Sequence, residues 1–155
     1  QLHSLNVSQC PNLSDAFVVQ LVEASPQIRS VNPSRCNRLT DAAIDALATH
    51  CVQQECAHLE SLYVFSEFIT DASITALATA CPGIRSLTAW DTGISNVAVN
   101  ALARHCAQLE SLNVPGCRLI TDTSVIALAK ATPLMRYLDV RFCARITDAS
   151  IVAVA

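Results

Sequence analysis

The chain repeats one short unit from end to end. An apolar residue that opens a strand-like segment recurs at intervals of 26, 31, 25, 25 and 26 residues, at Leu2, Ile28, Leu59, Ile84, Leu109 and Met135. A fixed period of this length is the signature of a solenoid, in which each unit packs against its neighbours. The sequence therefore predicts one α/β repeat domain over residues 1–155, with units near 1–26, 27–57, 58–82, 83–107, 108–133 and 134–155.

The first half of each unit alternates as a β-strand does. Side chains along a strand point to opposite faces in turn, so every second residue faces the same side. In the fifth unit, LESLNVPGC, the apolar positions predicted to point inward are Leu109, Leu112 and Val114, and those predicted to point outward are Ser111, Asn113 and Pro115.

The second half of each unit has the period of a helix. In the second unit the apolar residues Ile44, Leu47, Ala48 and Cys51 fall at i, i+3, i+4 and i+7, which is one helical face. A hydroxyl residue followed by Asp or Asn precedes each helix, at Ser14-Asp15, Thr40-Asp41, Thr70-Asp71, Ser95-Asn96, Thr121-Asp122 and Thr147-Asp148. We interpret the hydroxyl as an N-cap and the acidic residue as a partner of the helix dipole, rather than as a catalytic carboxylate.

The repeat L-x-x-L-x-V-x-x-C-x-x-[IL]-[ST]-D-x-x-[IV]-x-A-L-A is clearest in LESLNVPGCRLITDTSVIALA and is echoed in MRYLDVRFCARITDASIVAVA. It resembles the cysteine-containing leucine-rich repeats, as found in the repeat region of F-box proteins. The resemblance implies a right-handed strand–helix horseshoe with a parallel concave sheet and helices on the convex side.

The same resemblance implies a non-catalytic protein-interaction module. The first expectation is the substrate-recognition repeats of an F-box ubiquitin ligase receptor, with the ligase adaptor bound through an F-box outside this chain. The alternative is a structural or assembly scaffold subunit, for example of a cytoskeletal complex, without an F-box. In either case we expect the chain to be a piece of a longer array.

Three departures from the pattern are local. Glu67 and Thr92 stand where the other units have Cys, and the strand-to-helix loops of those two units are one residue shorter. The second unit carries about five extra residues near Val52–Cys56. Pro33 stands at an inward strand position, where its missing N–H should weaken pairing with the next strand.

Seven of the eight cysteines recur at two positions of the repeat, which indicates small buried side chains. We expect a reduced intracellular core, although cysteines at the same position of adjacent units are near enough to pair. The segment HCVQQECAHLE offers four residues of zinc-ligand type, His50, Cys51, Cys56 and His58. Because His105-Cys106 repeats the first pair without the other two residues, we interpret the segment as a longer surface loop without metal.

Composition excludes several functional classes. The net charge is −3 and the ten basic residues are scattered, which does not favour nucleic-acid binding. The apolar runs are too short to span a membrane, and no phosphate-binding loop, nucleophile elbow or HExxH motif is present. We expect no cofactor, no enzymatic activity and a cytoplasmic or nuclear location. Two Asn-X-Ser sequons, at Asn6 and Asn12, leave secretion as a weaker alternative.

The outward strand positions vary most, and packing does not dictate them. Most are small or polar, but the third, fourth and sixth units carry larger groups, namely Tyr63, Phe65, Trp90, Tyr137, Asp139 and Arg141. Tyr, Trp and Arg are enriched at binding hot spots, and exposed rings favour a partner surface. We predict that these six residues contact a protein partner on the concave face. The alternative is that the rings cover a neighbouring unit or another segment of the same protein.

Overall fold

The structure of the chain, a computed structural model, describes residues 2–53 and 58–154. Strands and helices alternate along it as β1 (Ser4–Asn6), α1 (Asp15–Ala24), β2 (Ser30–Asn32), α2 (Asp41–Gln53), β3 (Ser61–Phe65), α3 (Asp71–Ala80), β4 (Ser86–Trp90), α4 (Asn96–His105), β5 (Ser111–Asn113), α5 (Asp122–Ala131), β6 (Tyr137–Asp139) and α6 (Asp148–Val154). The strands form one parallel sheet in the order β1 to β6. The α/β solenoid predicted from the period is confirmed. We call one strand with its following helix a rung.

Equivalent residues of successive rungs pair across the sheet, which stacks like on like. Leu62 pairs with Leu87, and Leu87 with Leu112, and all three side chains are buried. The helices cover this inward face, so the core is a stack of Leu, Ile, Val and Ala between sheet and helices. The inward phase predicted for the strands is therefore confirmed. No helix in the described parts of the chain is long and apolar enough to cross a membrane.

The Asp at the start of α1, α2, α3 and α5 binds the next rung. The carboxylate of Asp15 accepts hydrogen bonds from the Thr40 N–H and hydroxyl, both at 2.8 Å. Asp41 and Thr70 repeat the arrangement, and Asp122 accepts from Thr147 at 2.8 and 2.6 Å. The sequence interpretation assigned these carboxylates to the dipole of their own helix, but their main partners lie one rung further along.

The fourth rung has Asn96 at the ladder position, and this changes the direction of one bond. The Asn96 amide oxygen accepts from the Thr121 N–H, whereas its amide nitrogen donates to the Thr121 hydroxyl at 2.8 Å. Thr121 makes no side-chain bond to its own helix, while Thr70 and Ser95 each accept one from the N–H two residues on. The N-cap prediction holds for Thr40, Thr70, Ser95 and Thr147 but not for Ser14 or Thr121.

Three of the four strand-end cysteines donate to the preceding rung, whereas Cys10, in the first rung, is exposed and the prediction of its burial is wrong. The Sγ atoms of Cys36, Cys117 and Cys143 lie 3.1–3.2 Å from backbone oxygens of Val7, Ala89 and Val114 respectively. The pKa of each of these thiols is raised, mainly by burial, and that of Cys143 is raised to about 11.

The expectation of a fully reduced core is wrong for one pair. Cys51 at the end of α2 and Cys81 after α3 form a disulfide, with their Cα atoms 6.1 Å apart. The disulfide forms because equivalent residues of adjacent rungs are neighbours, so two cysteines at the same helix-end position come within bonding distance. Cys106, at the same position one rung further on, is free and buried.

The third and fourth rungs differ from the rest in the length of their strands. β3 and β4 have five residues and share five paired positions, whereas β2 and β3 share only two. β1–β2 and β5–β6 share three paired positions against two for β2–β3, which agrees with the weaker pairing expected from Pro33 directly after β2. In the third rung, where Glu67 stands in place of Cys, Ser66 is buried and donates to the Leu39 carbonyl of the preceding rung at 2.7 Å.

Candidate protein-binding site on the concave face

Two large rings meet on the outward face of β3 and β4. Phe65 and Trp90 are paired residues of the two strands, and their ring centroids are 5.6 Å apart at an interplanar angle of 88°. This edge-to-face geometry is one that aromatic pairs prefer. Trp90 remains 41% exposed, and Tyr63, two residues before Phe65 on the same face, is half-buried beside Thr88. The three residues, which we call the aromatic patch, lie together as the sequence predicts.

The rings stand outward because the inward positions of the same strands are filled. Val64 and Ala89 alternate with the aromatic positions and are buried in the core. A bare aromatic surface costs free energy in water, and the solenoid gains no core packing from it. The third and fourth rungs therefore expose apolar area that the fold itself does not need.

The remaining predicted residues lie on the sixth rung, apart from the aromatic patch. Tyr137 is 53% exposed, whereas Asp139 is only 6% exposed. The Arg141 side chain donates to both Asp139 oxygens, at 2.7–2.9 Å. These bonds lower the pKa of Asp139 and raise the pKa of Arg141. The carboxylate thus fixes the arginine, and the groups presented to solvent are Tyr137 and the exposed guanidinium of Arg141.

The fifth rung separates the two groups. Its Pro115, predicted to point outward, is buried, so it adds no large exposed group to the face. Pro115 also explains an unpaired atom beside it. Asn6 and Asn32 each accept a bond from the N–H two residues further on, but at Asn113 that residue is proline. The buried amide oxygen of Asn113 therefore has no hydrogen-bond partner among the residues that the structure describes.

A pocket that the sequence did not reveal opens beside the aromatic patch. It has a volume of about 280 Å³, lies where β2, β3 and β4 turn toward their helices, and is lined by Asn37, Phe65, Ser66, Glu67, Phe68 and Asp91. Phe65 belongs to both the pocket and the patch. The sequence feature that could have pointed to this pocket is the shortened strand-to-helix loop of the third and fourth units, with Glu67 in place of Cys in the third. Only the placement of three rungs beside one another shows that the shortened loops open a pocket.

The segment considered for zinc lies only partly within the described residues, because Cys56 falls outside them. His58 is described, Cys51 is joined to Cys81, and His50 Nε2 lies 3.4 Å from the Pro26 carbonyl oxygen. Over residues 2–53 and 58–154, no group of three or more His, Cys, Asp or Glu side chains is placed to hold a metal.

Comparison with known proteins agrees with this architecture. A family model described as leucine-rich repeat matches residues 105–129 and 133–155. The fold is a leucine-rich-repeat solenoid. A chain in the crystal structure of the Rad7 and Elc1 complex of yeast superposes with a TM-score of 0.77 at 20% identity, over 98% of this chain and 39% of that one. The chain thus spans well under half the length of that solved protein. No curated protein matches in sequence. The repeats and the fold support a protein-interaction module.

Proposed function

We propose that this solenoid is the recognition part of a non-catalytic protein-binding protein and that the aromatic patch contacts the partner. The observation that carries the proposal is the Phe65–Trp90 pair on the two longest strands of the sheet, in which Trp90 is exposed and Phe65 is half-buried. Leucine-rich repeats bind proteins on such extended concave surfaces. More specifically, we propose substrate-recognition repeats of an F-box ubiquitin ligase receptor. The support is the cysteine-containing repeat pattern, together with a structural neighbour solved as a complex of two proteins.

The test of the recognition surface compares two substitutions in one strand. Trp90→Ala removes a ring that points away from the core, so we expect thermal stability to change little. We expect partner affinity to fall by about 2 kcal/mol or more, as it does for hot-spot aromatics. Leu87→Ala removes a fully buried side chain and should destabilise the fold by about 2–5 kcal/mol.

A matched control is Val97→Ala, which trims a side chain 58% exposed on α4 of the same rung. It should leave both folding and partner capture unchanged. If Trp90→Ala unfolds the protein as much as Leu87→Ala does, the ring is part of the core. If Trp90→Ala is stable and captures every partner of the wild type, the aromatic patch is not the recognition surface.

The ligase proposal has its own test. The full-length protein, isolated from its natural cells under mild conditions, should carry a cullin-ligase adaptor in near-stoichiometric amount. The alternative function, a scaffold subunit, would instead give a stable assembly without the adaptor. Recovery of such an assembly would overturn the ligase proposal and leave the recognition surface unaffected.

A further inference from the structure

The pocket beside the aromatic patch has walls of two chemical kinds. Phe65 and Phe68 are aromatic, and Phe68 is 54% exposed. Glu67 and Asp91 supply two carboxylates, both on exposed residues. At about 280 Å³ the pocket is at the lower limit of small-molecule sites, which commonly enclose about 300–1,000 Å³. Its size suits one side chain of a protein partner better than a free cofactor.

The loop that carries Glu67 and Phe68 is hydrogen-bonded to the preceding rung. The Ser66 hydroxyl donates to the Leu39 carbonyl at 2.7 Å and lies 3.3 Å from the Phe68 N–H, which donates to it. Ser66 is itself buried, so the loop is anchored to the preceding rung. The anchored serine leaves the two neighbouring side chains on the solvent side, where Phe68 and Glu67 are exposed.

The residue that carries the second carboxylate is bonded through its backbone to the fifth rung. Asp91 has a left-handed backbone, with φ of 51°, a conformation that Asp tolerates better than most residues. Its N–H donates to the Pro115 carbonyl at 3.0 Å, and its Oδ1 lies close over Gly116, where an added Cβ would be only 3.4 Å away. The backbone of Asp91 is therefore held by the fifth rung, and its carboxylate lies beside Gly116 at the pocket.

Neither carboxylate forms an ion pair within residues 2–53 and 58–154. Among the described residues the ion pairs are Arg29–Glu60, Arg85–Glu110 and Arg141–Asp139, and none includes Glu67 or Asp91. Arginines do occupy the loops of the adjacent rungs, at Arg35, Arg38 and Arg118, and all three are exposed. Of the ion pairs, Arg29–Glu60 and Arg85–Glu110 lie before the strands, at the end opposite the pocket, and none of these arginines pairs with Glu67 or Asp91.

We propose that this pocket receives a basic side chain of the protein partner, arginine in preference to lysine, while an apolar residue of the same partner covers Trp90. The inference rests on the proposed protein-binding function and names the chemistry of the partner. A guanidinium can stack on a phenylalanine face and donate to a carboxylate at the same time, which an ammonium does less well. An anionic group would meet two like charges, and a neutral group would leave both carboxylates uncompensated.

The first experiment needs no partner. Trp90 is the single tryptophan of the chain, and it contacts Phe65 at the edge of the pocket. The full chain is titrated with N-acetyl-arginine amide while tryptophan emission is recorded. We expect a saturable change in the millimolar range that weakens at high salt. The uncharged isostere N-acetyl-citrulline amide should give none, and the double variant Glu67→Gln with Asp91→Asn should lose the response to arginine.

A matched double variant removes two carboxylates at the other end of the strands, before β3 and β5. Glu60→Gln with Glu110→Gln has the same change in net charge and should respond to N-acetyl-arginine amide as the wild type does. Equal responses to the arginine and citrulline compounds would overturn the proposal. So would a response that survives the pocket double variant, or no response to the arginine compound in a folded wild type.

The second experiment separates this proposal from the proposed function. For a protein captured by the wild type, the pocket double variant should bind at least tenfold more weakly, since hydrogen bonds to charged groups are among the stronger ones. If Trp90→Ala releases that protein but the pocket double variant retains it, the basic-side-chain proposal fails and the recognition surface stands. If neither variant affects capture, the proposed function itself fails.

Discussion

The carboxylate ladder between rungs gives a sharp prediction at Asp41. The Asp41 carboxylate accepts from the Thr70 N–H at 2.8 Å, from the Thr70 hydroxyl at 2.6 Å and from the Ser73 hydroxyl. Burial by itself raises the pKa of Asp41, but the hydrogen bonds from Ser73 and Thr70 outweigh it and leave the pKa below its ordinary value of 3.8. The carboxylate therefore stabilises the folded state in its ionised form.

Two substitutions show how much of the stability due to Asp41 depends on its hydrogen bonds and how much on its carboxylate in particular. Asp41→Ala removes three bonds worth about 1 kcal/mol each, and partial exposure reduces the sum, so we expect a loss of about 2 kcal/mol at pH 7. Asp41→Asn keeps the acceptor for the Thr70 N–H and adopts the arrangement seen at Asn96, so its cost should be about 1 kcal/mol. Asp45→Asn, at an exposed position of the same helix, is the control and should cost less than about 0.5 kcal/mol.

The pH dependence of the free energy of unfolding tests whether the ionised Asp41 carboxylate is the cause of this stabilisation. A carboxyl group whose pKa is lower in the folded state contributes stability that is present above its unfolded pKa and is lost as pH falls through the folded pKa. Urea unfolding followed by circular dichroism should thus show the difference between wild type and Asp41→Asn shrinking from pH 6 to pH 3. A difference that stays constant over this range, or equal stability of the two proteins at pH 6, would refute the reasoning.

Two further predictions concern cysteines. Native protein treated with a thiol reagent near pH 8 should react faster at exposed Cys10 than at Cys106 and Cys143, because burial raises the pKa of the last two to about 11 and the thiolate is the reactive form. Rapid labelling of Cys106 would contradict its burial. Non-reducing peptide mapping should recover Cys51 linked to Cys81, and reduction should lower stability by about 2–4 kcal/mol; two free thiols there in native protein would refute the pairing.

Much of this architecture could be predicted because the same strand–helix pattern occurs in six units of the sequence. A residue such as Leu87 has the same position in its rung as Leu62 and Leu112, so one alternating pattern fixes its burial in all of them. The meeting of Phe65 and Trp90 follows in the same way, since equivalent outward residues of adjacent strands are neighbours across a parallel sheet.

Relations between different positions of successive rungs were decided only by the tertiary structure. The Asp41 carboxylate meets Thr70 because each helix start is offset onto the next, and the period does not encode that offset. Pro115 is buried although its strand position faces outward. Glu67 and Asp91 share a pocket only because short loops on two rungs lie beside a longer loop on a third. Periodicity determines which way a side chain faces, whereas its neighbours depend on the displacement between rungs and on the local loop lengths.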